Sequence, residues 1–152
     1  MADLAVTVVP VDDATIAALD PLAAQAEREG IRNVRALVEG WRDGSLRFDG
    51  PGERLLAAVA GTEVVGVGGL TACPHVPGAL RVRRFYVAPG WRRRGVARTL
   101  ARPLLDGAWT HTDLVTCNAR ASAAAPPFWE SLGFTPVDRP GITHERRRDV
   151  RA

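Results

Sequence analysis

The 152-residue chain contains no lysine; all 20 of its basic side chains are arginine. With the abundance of alanine, glycine (15) and proline (11), this absence follows the codon usage of a GC-rich genome and excludes no activity by itself. Cysteine is scarce. Cys73 and Cys117 have neither metal-ligand spacing nor a neighbouring Cys or His cluster, which argues against a disulfide framework or a metal site and leaves two buried free thiols as the expectation. No apolar run reaches the roughly 20 residues that a membrane helix needs. The opening "MADLAVTVVPVDD" carries acids where a secretory signal carries positive charge, so a cytoplasmic protein is expected. Repeats, linkers and low-complexity stretches are also missing. A single domain over residues 1–152 is therefore expected, and 46% hydrophobic with 24% charged residues suffices for one core.

What the chain does have is charge placed unevenly. Residues 1–76 hold 6 arginines against 11 acids, net −5, whereas residues 77–152 hold 14 against 6, net +8. The basic half points to an anionic ligand or surface.

Hydrophobic periodicity predicts the elements. "LAVTVVPV" (Leu4–Val11) reads as a strand, and "ATIAALDPLAAQAEREG" as a helical stretch that Pro21 breaks and Gly30 stops. Ile31, Val34, Leu37, Val38 and Trp41 have helical spacing. "RLLAAVA" and "EVVGVGGLTAC" around Gly61-Thr62 form a hairpin, and "ALRVRRFYVAP" is the next strand. A helix then carries Val96, Leu100, Leu104 and Ala108 on one face, with Pro103 expected to kink it. "DLVTCNA" is a strand, "APPFWESLG" a short helix, and "FTPV" with "THERRRDV" complete the sheet. The class is α+β, with a mainly antiparallel sheet and one strand–helix–strand crossover.

The segment "YVAPGWRRRGVARTL" (Tyr86–Leu100) packs arginines around a glycine at a helix start. Cations there oppose the helix dipole, so the arrangement makes sense when an anion occupies the site, and phosphate is the suspect. Gly95 has no Cβ to keep phosphate oxygens from the backbone N–H groups.

Arg92-Arg93-Arg94-Gly95-Val96-Ala97 resembles the R/Q-x-x-G-x-G/A signature of the GNAT acetyltransferases. "RRFYVAP" before it is similar to that family's bulged fourth strand, and "TCNAR" through "PFWESLGF" (Thr116–Phe134) to its fifth strand and fourth helix. The resemblance covers most of the chain. It implies a twisted, mixed sheet of six to seven strands, mostly antiparallel, flanked by about four helices, with strands four and five splayed around acetyl-CoA. On this likeness Phe85, Tyr86 and Val87 pair with the pantetheine arm, while the amides from Arg93 through Arg94, Gly95, Val96 and Ala97 to Arg98 receive the pyrophosphate, with the Arg92 side chain nearby. Asn118 holds the cofactor's amide or the adjoining loop, and no metal is implied.

The implied reaction is direct attack of a neutral primary amine of a small molecule or peptide on the thioester, with an N–H such as that of Val87 facing the oxyanion. Two positions depart from the family pattern. Trp129, counted with the cofactor-lining residues, stands where many members have a tyrosine that protonates the sulfur, and Arg81 stands where a water-relaying glutamate is frequent. His144 is the first choice as base, since an imidazole ordinarily titrates near neutrality; Glu145 and Tyr86 follow, and His75 is weaker. Trp41 and Trp109 read as packing residues and His111 as a solvated one. Arg32, Asn33 and Arg35 occupy the region that shapes the acceptor pocket in the family, and Arg81 and Arg83 project from the fourth strand. They suit an amine that also carries a carboxylate or phosphate. Other readings stay open: a weakly catalytic acyl-CoA-binding module, and a nucleic-acid-binding domain suggested by the tail "HERRRDVRA". A homodimer is common among such domains.

Overall fold

Residues 5–149 are described in the computed structural model; Leu4 of the expected first strand and residues 150–152 of the basic tail lie outside them. The elements are β1 (Val6–Pro10), α1 (Asp13–Ala17), α2 (Asp20–Arg28), α3 (Asn33–Asp43), β2 (Arg54–Ala60), β3 (Glu63–Ala72), β4 (Leu80–Val87), α4 (Val96–Ala108), β5 (Leu114–Cys117), α5 (Ala125–Ser131), β6 (Thr135–Arg139) and β7 (Ile142–Arg147). No helix among the described residues is long and apolar enough to cross a membrane.

The break expected at Pro21 divides the first helical stretch into two helices. Proline sits in the first turn of α2, where its missing N–H has no helical partner to lose. Asp12 caps α1, its Oδ1 accepting from the Thr15 N–H and hydroxyl, each at 2.9 Å. The described chain therefore has five α-helices where about four were expected. Pro103 lies inside α4, which continues through it without the backbone N–H bond that proline cannot make.

The seven strands form one sheet in the order β1-β2-β3-β4-β5-β7-β6. All neighbours are antiparallel except β4 and β5, which the α4 crossover joins in parallel. Two cores sandwich the sheet. On one face Leu100, Leu104, Trp129 and Phe134 of α4 and the α5 region cover Leu80, Val115 and Cys117. On the other, Leu22, Val34 and Leu37 of α2 and α3 cover Leu55, Val67 and Tyr86. The two cysteines are buried and free.

Strand β4 is irregular on both edges. Its register with β5 extends over only Leu80↔Val115 and Arg81↔Thr116, so the strands part beyond Arg81. In its pairing with β3, Arg83 lies opposite Gly69 and Tyr86 opposite Val67. Arg84 and Phe85 thus face the single residue Gly68, which is a β-bulge. Arg84 takes φ 56° there. The extra residue shifts the side-chain alternation: Val82, Phe85 and Val87 join the α4 face, and Tyr86 joins the α3 face.

Candidate active site

Where β4 and β5 part, a cleft of about 780 Å³ opens. Its walls are β4 from Arg81 to Val87, Thr116 to Asn118 at the end of β5, and Phe128 and Trp129 of α5. Arg92, Arg93 and Ala97 line it at the start of α4; Glu29, Ile31 and Asn33 come from the α2–α3 corner, and His75 and Gly141 from two loops.

Gly95 precedes α4 with φ 78°, a left-handed conformation that glycine adopts without strain, and no side chain caps the helix. The first N–H of this segment to find a carbonyl is that of Thr99, on Gly95 at 2.9 Å. The N–H groups of Gly95, Val96, Ala97 and Arg98 therefore have no partner among the described residues. A Cβ on Gly95 would meet nothing within 4 Å, so the concavity over these amides is open. Such a helix start attracts an anion by dipole and donors together.

The β4 edge contributes a further donor. Ala88 N–H bonds Val65 O at 2.8 Å, so Ala88 faces β3. Backbone groups of successive strand residues point to opposite edges. The N–H of Val87 therefore faces the gap, as does its carbonyl, which accepts from Arg92 Nε at 3.1 Å.

These open donors lie within a chain that matches the family model for the acetyltransferase (GNAT) domain over residues 23–145. The chain belongs to the GNAT acetyltransferase family. It is an N-acetyltransferase with a GNAT fold. Among solved structures it is similar to a proposed acetyltransferase from Exiguobacterium sp. 255-15, with TM-score 0.84 and 28% identity over 95% of this chain and 94% of that one. The PaiA N-acetyltransferase of Thermoplasma acidophilum, solved with coenzyme A, superposes with TM-score 0.74 at 13% identity, over 95% and 100% of the two chains. A GCN5-related N-acetyltransferase from Kribbella flavida gives 0.73 at 23% identity, over 96% and 98%. A comparison with curated proteins returns no match.

Within this GNAT domain, the candidate residues fall into separate groups. Phe85, Tyr86, Val87, Arg92, Arg93, Ala97, Asn118 and Trp129 all line the cleft. Tyr86, however, stands opposite Val67 in the β3 register, so its backbone faces β3; of the three residues expected to offer backbone groups to the gap, only Phe85 and Val87 do. The Phe85 carbonyl already accepts from Asn33 Nδ2 at 3.1 Å. Asn118 closes an Asx turn through Arg120 N–H at 3.3 Å. Trp129 is 5% exposed and makes edge contacts with Phe85, Phe128 and Phe134 at 5.0, 4.9 and 5.3 Å between ring centres.

Arg92 departs from its expected place beside the phosphates. Its Nη1 and Nη2 bind Glu29 at 2.8 and 2.7 Å, and Glu29 also accepts the Tyr86 hydroxyl. Hydrogen bonds from Arg92 and then Tyr86 hold the Glu29 carboxyl below its usual range. Burial, followed by the Glu29 contact, pushes the Tyr86 phenol up to about 12. Such a phenol keeps its proton and gives it in a hydrogen bond to Glu29, which removes the ground for Tyr86 as a base. Arg94 stacks over Trp91 at 5.1 Å, and Arg98 donates to Ser131 Oγ at 3.0 Å.

The acceptor-side expectations need more correction. His144 is 5% exposed and does not line the cleft. It pairs with Cys117 and so shares the α4/α5 face, where its Nε2 meets Glu130 and its Nδ1 meets Thr143, each at 2.8 Å. Glu145, on the opposite face, is 7% exposed, lies outside the cleft lining and faces Arg139 and Arg147, both at 3.5 Å. Arg32 and Arg35 do not reach the cleft. Arg32 meets Glu39 at 3.5 Å, while Arg35 binds Asp20 at 3.0 Å and Glu27 at 3.1 Å, joining α2 to α3. Arg81, Arg83 and His75 do line the cleft. Glu29 and Arg84 are cleft residues that the sequence pattern did not single out. Nothing local marks Glu29, whose partners lie 57 and 63 residues away; the bulge that aims Arg84 depends on pairing with Gly68.

Proposed function

We propose that this enzyme transfers the acetyl group of acetyl-CoA to a primary amine of a small molecule or peptide by direct attack in a ternary complex. The observation that carries the reading is the β4–β5 gap running onto the unpartnered N–H groups at the start of α4. The residues suit the cofactor. Amides from Gly95 to Arg98 would hold the phosphates, with Arg93 beside them, and the Phe85 backbone and the Val87 carbonyl would face the pantetheine arm. Bound there, acetyl-CoA supplies an acetyl thioester.

The chain's own groups then have defined tasks. The Val87 N–H, fixed by the strand, donates to the carbonyl oxygen as negative charge develops on it, without reorganisation. The Glu29–Arg92–Tyr86 clamp ties the end of α2 to the β4–α4 junction and holds that donor in place. The amine must lose a proton before its nitrogen forms the new C–N bond. His75, the one imidazole among the described residues of the cleft wall, belongs to the loop that enters β4 at Leu80 and so lies at the far end of the strand from Val87; we assign the proton to solvent water. The C–S bond then breaks, and the thiolate leaves either as such or with a proton from solvent.

The test is a spectrophotometric CoA-release screen over amino acids, aminoglycosides, polyamines, arylamines and peptide N-termini, with initial-rate kinetics on the best acceptor. Intersecting double-reciprocal lines are expected. Parallel lines, the mark of an acetyl-enzyme, would overturn direct attack.

A further inference from the structure

Nine of the chain's arginines have carboxylate partners within the fold. Arg81, Arg83 and Arg84 have none among the described residues, although all three line the cleft. The Nε atoms of Arg81 and Arg84 are buried without a hydrogen-bond partner among the described residues. Arg84 also holds a left-handed φ of 56°, which costs a non-glycine residue about 1–2 kcal/mol. Burial first, and the Arg81 charge second, weaken its hold on its proton. Backbone strain, lost solvation and like-charge repulsion thus coincide at one wall. Costs of this kind persist where a ligand relieves them.

The α4 amides do not account for Arg81, whose charge acts on Arg84. Arg81 precedes Val87 by six residues of strand, about 20 Å, and stands at the end of β4 still paired with β5. A phosphate on α4 cannot span that distance.

We infer that Arg81 and Arg84 form an oxyanion subsite at the acceptor end of the cleft, so that the amine acetylated here carries a carboxylate or phosphate. The inference rests on the acetyl-transfer reading of the same cleft. It places the anion of the acceptor on planar donors, leaving the amine to reach along β4 toward Val87.

Matched acceptors distinguish the two anions: α-amino acids against their amides, and phosphoethanolamine against ethanolamine. In CoA-release assays the wild type should favour the anionic member of at least one pair by about tenfold to a hundredfold in kcat/KM, as loss of charge-assisted hydrogen bonds implies. Arg84→Met or Arg81→Met should erase that preference while leaving acetyl-CoA affinity, measured by calorimetry, unchanged. Equal use of acid and amide by the wild type, or a preference that survives both substitutions, would overturn the subsite. A second readout needs no turnover. In anion-poor buffer Arg84→Met should melt higher than the wild type, and millimolar glutamate or phosphoethanolamine should raise the wild-type melting temperature but not the variant's. If acetyl-CoA binds yet no amine in the panel is acetylated, the acetyl-transfer reading fails and the melting experiment decides the subsite: stabilisation lost in the variant upholds it, and equal stabilisation refutes it.

Discussion

An alanine at Gly68 would place a methyl group in the Phe85 ring. Its Cβ would stand 2.4 Å from Phe85 Cδ2 and 2.9 Å from Cε2, where carbon atoms rest at about 3.5–4.0 Å. The ring must therefore retreat by more than about 1 Å. Behind it lie Trp129 at 5.0 Å and Phe128 at 6.0 Å between ring centres, so the ring can yield only by breaking this packing and moving into the cleft it lines. Overpacking of this kind costs about 1–3 kcal/mol. For a domain of this size the melting temperature should fall by roughly 3–10 °C. Because Phe85 is half of the bulge, its displacement also moves Val87 and should weaken acetyl-CoA binding, read by calorimetric titration. Phe85→Leu shortens the obstructing side chain, so the double variant should be less destabilised than the sum of the two single changes. A fully stable Gly68→Ala protein, or strictly additive costs, would refute the claim that Gly68 exists to admit the ring.

Gly95→Ala meets no atom within 4 Å, so it should cost only the left-handed backbone penalty of about 1–2 kcal/mol; Gly95→Glu should fold yet lose acetyl-CoA binding in a calorimetric titration. Because Arg92 and Tyr86 depress the folded carboxyl of Glu29, the clamp's contribution is complete above the ordinary glutamate value near 4.3 and is lost as pH falls through the lower, folded value. Urea denaturation at a series of pH values should show that acid limb in the wild type and a smaller one in Glu29→Gln. His75→Gln and His144→Gln should both leave the pH dependence of kcat/KM in place, and His144→Gln, which breaks the Glu130 contact, should also lower stability in urea denaturation.

The strands and the open glycine turn before α4 were legible because they depend on local signals. Two-residue alternation marks the strands, and glycine beside "RRR" marks the start of α4. Side-chain direction in β4 was not legible. The bulge that redirects Arg84 and Phe85 arises from pairing with a glycine in another strand. Alternation put His144 and Glu145 on opposite faces, yet neither face carried them into the cleft: pairing of β7 with β5 buries one beneath α5 and leaves the other to Arg139 and Arg147. Arg32 and Arg35 drew attention as cations near the acceptor region, but acids one or two helical turns away, and on α2, claim them. The Glu29 clamp is a purely tertiary contact.

The central claim is that the α4 amides and the open edge of β4 form the acetyl-CoA site. An NMR titration of the uniformly ¹⁵N-labelled chain with acetyl-CoA tests it most directly. Saturable shifts should concentrate on the amides of Gly95, Val96, Ala97 and Arg98 and on Val87, with Tyr86 much less affected because its N–H faces β3. Saturable binding that leaves these amides unmoved, or no binding at all, would contradict the account.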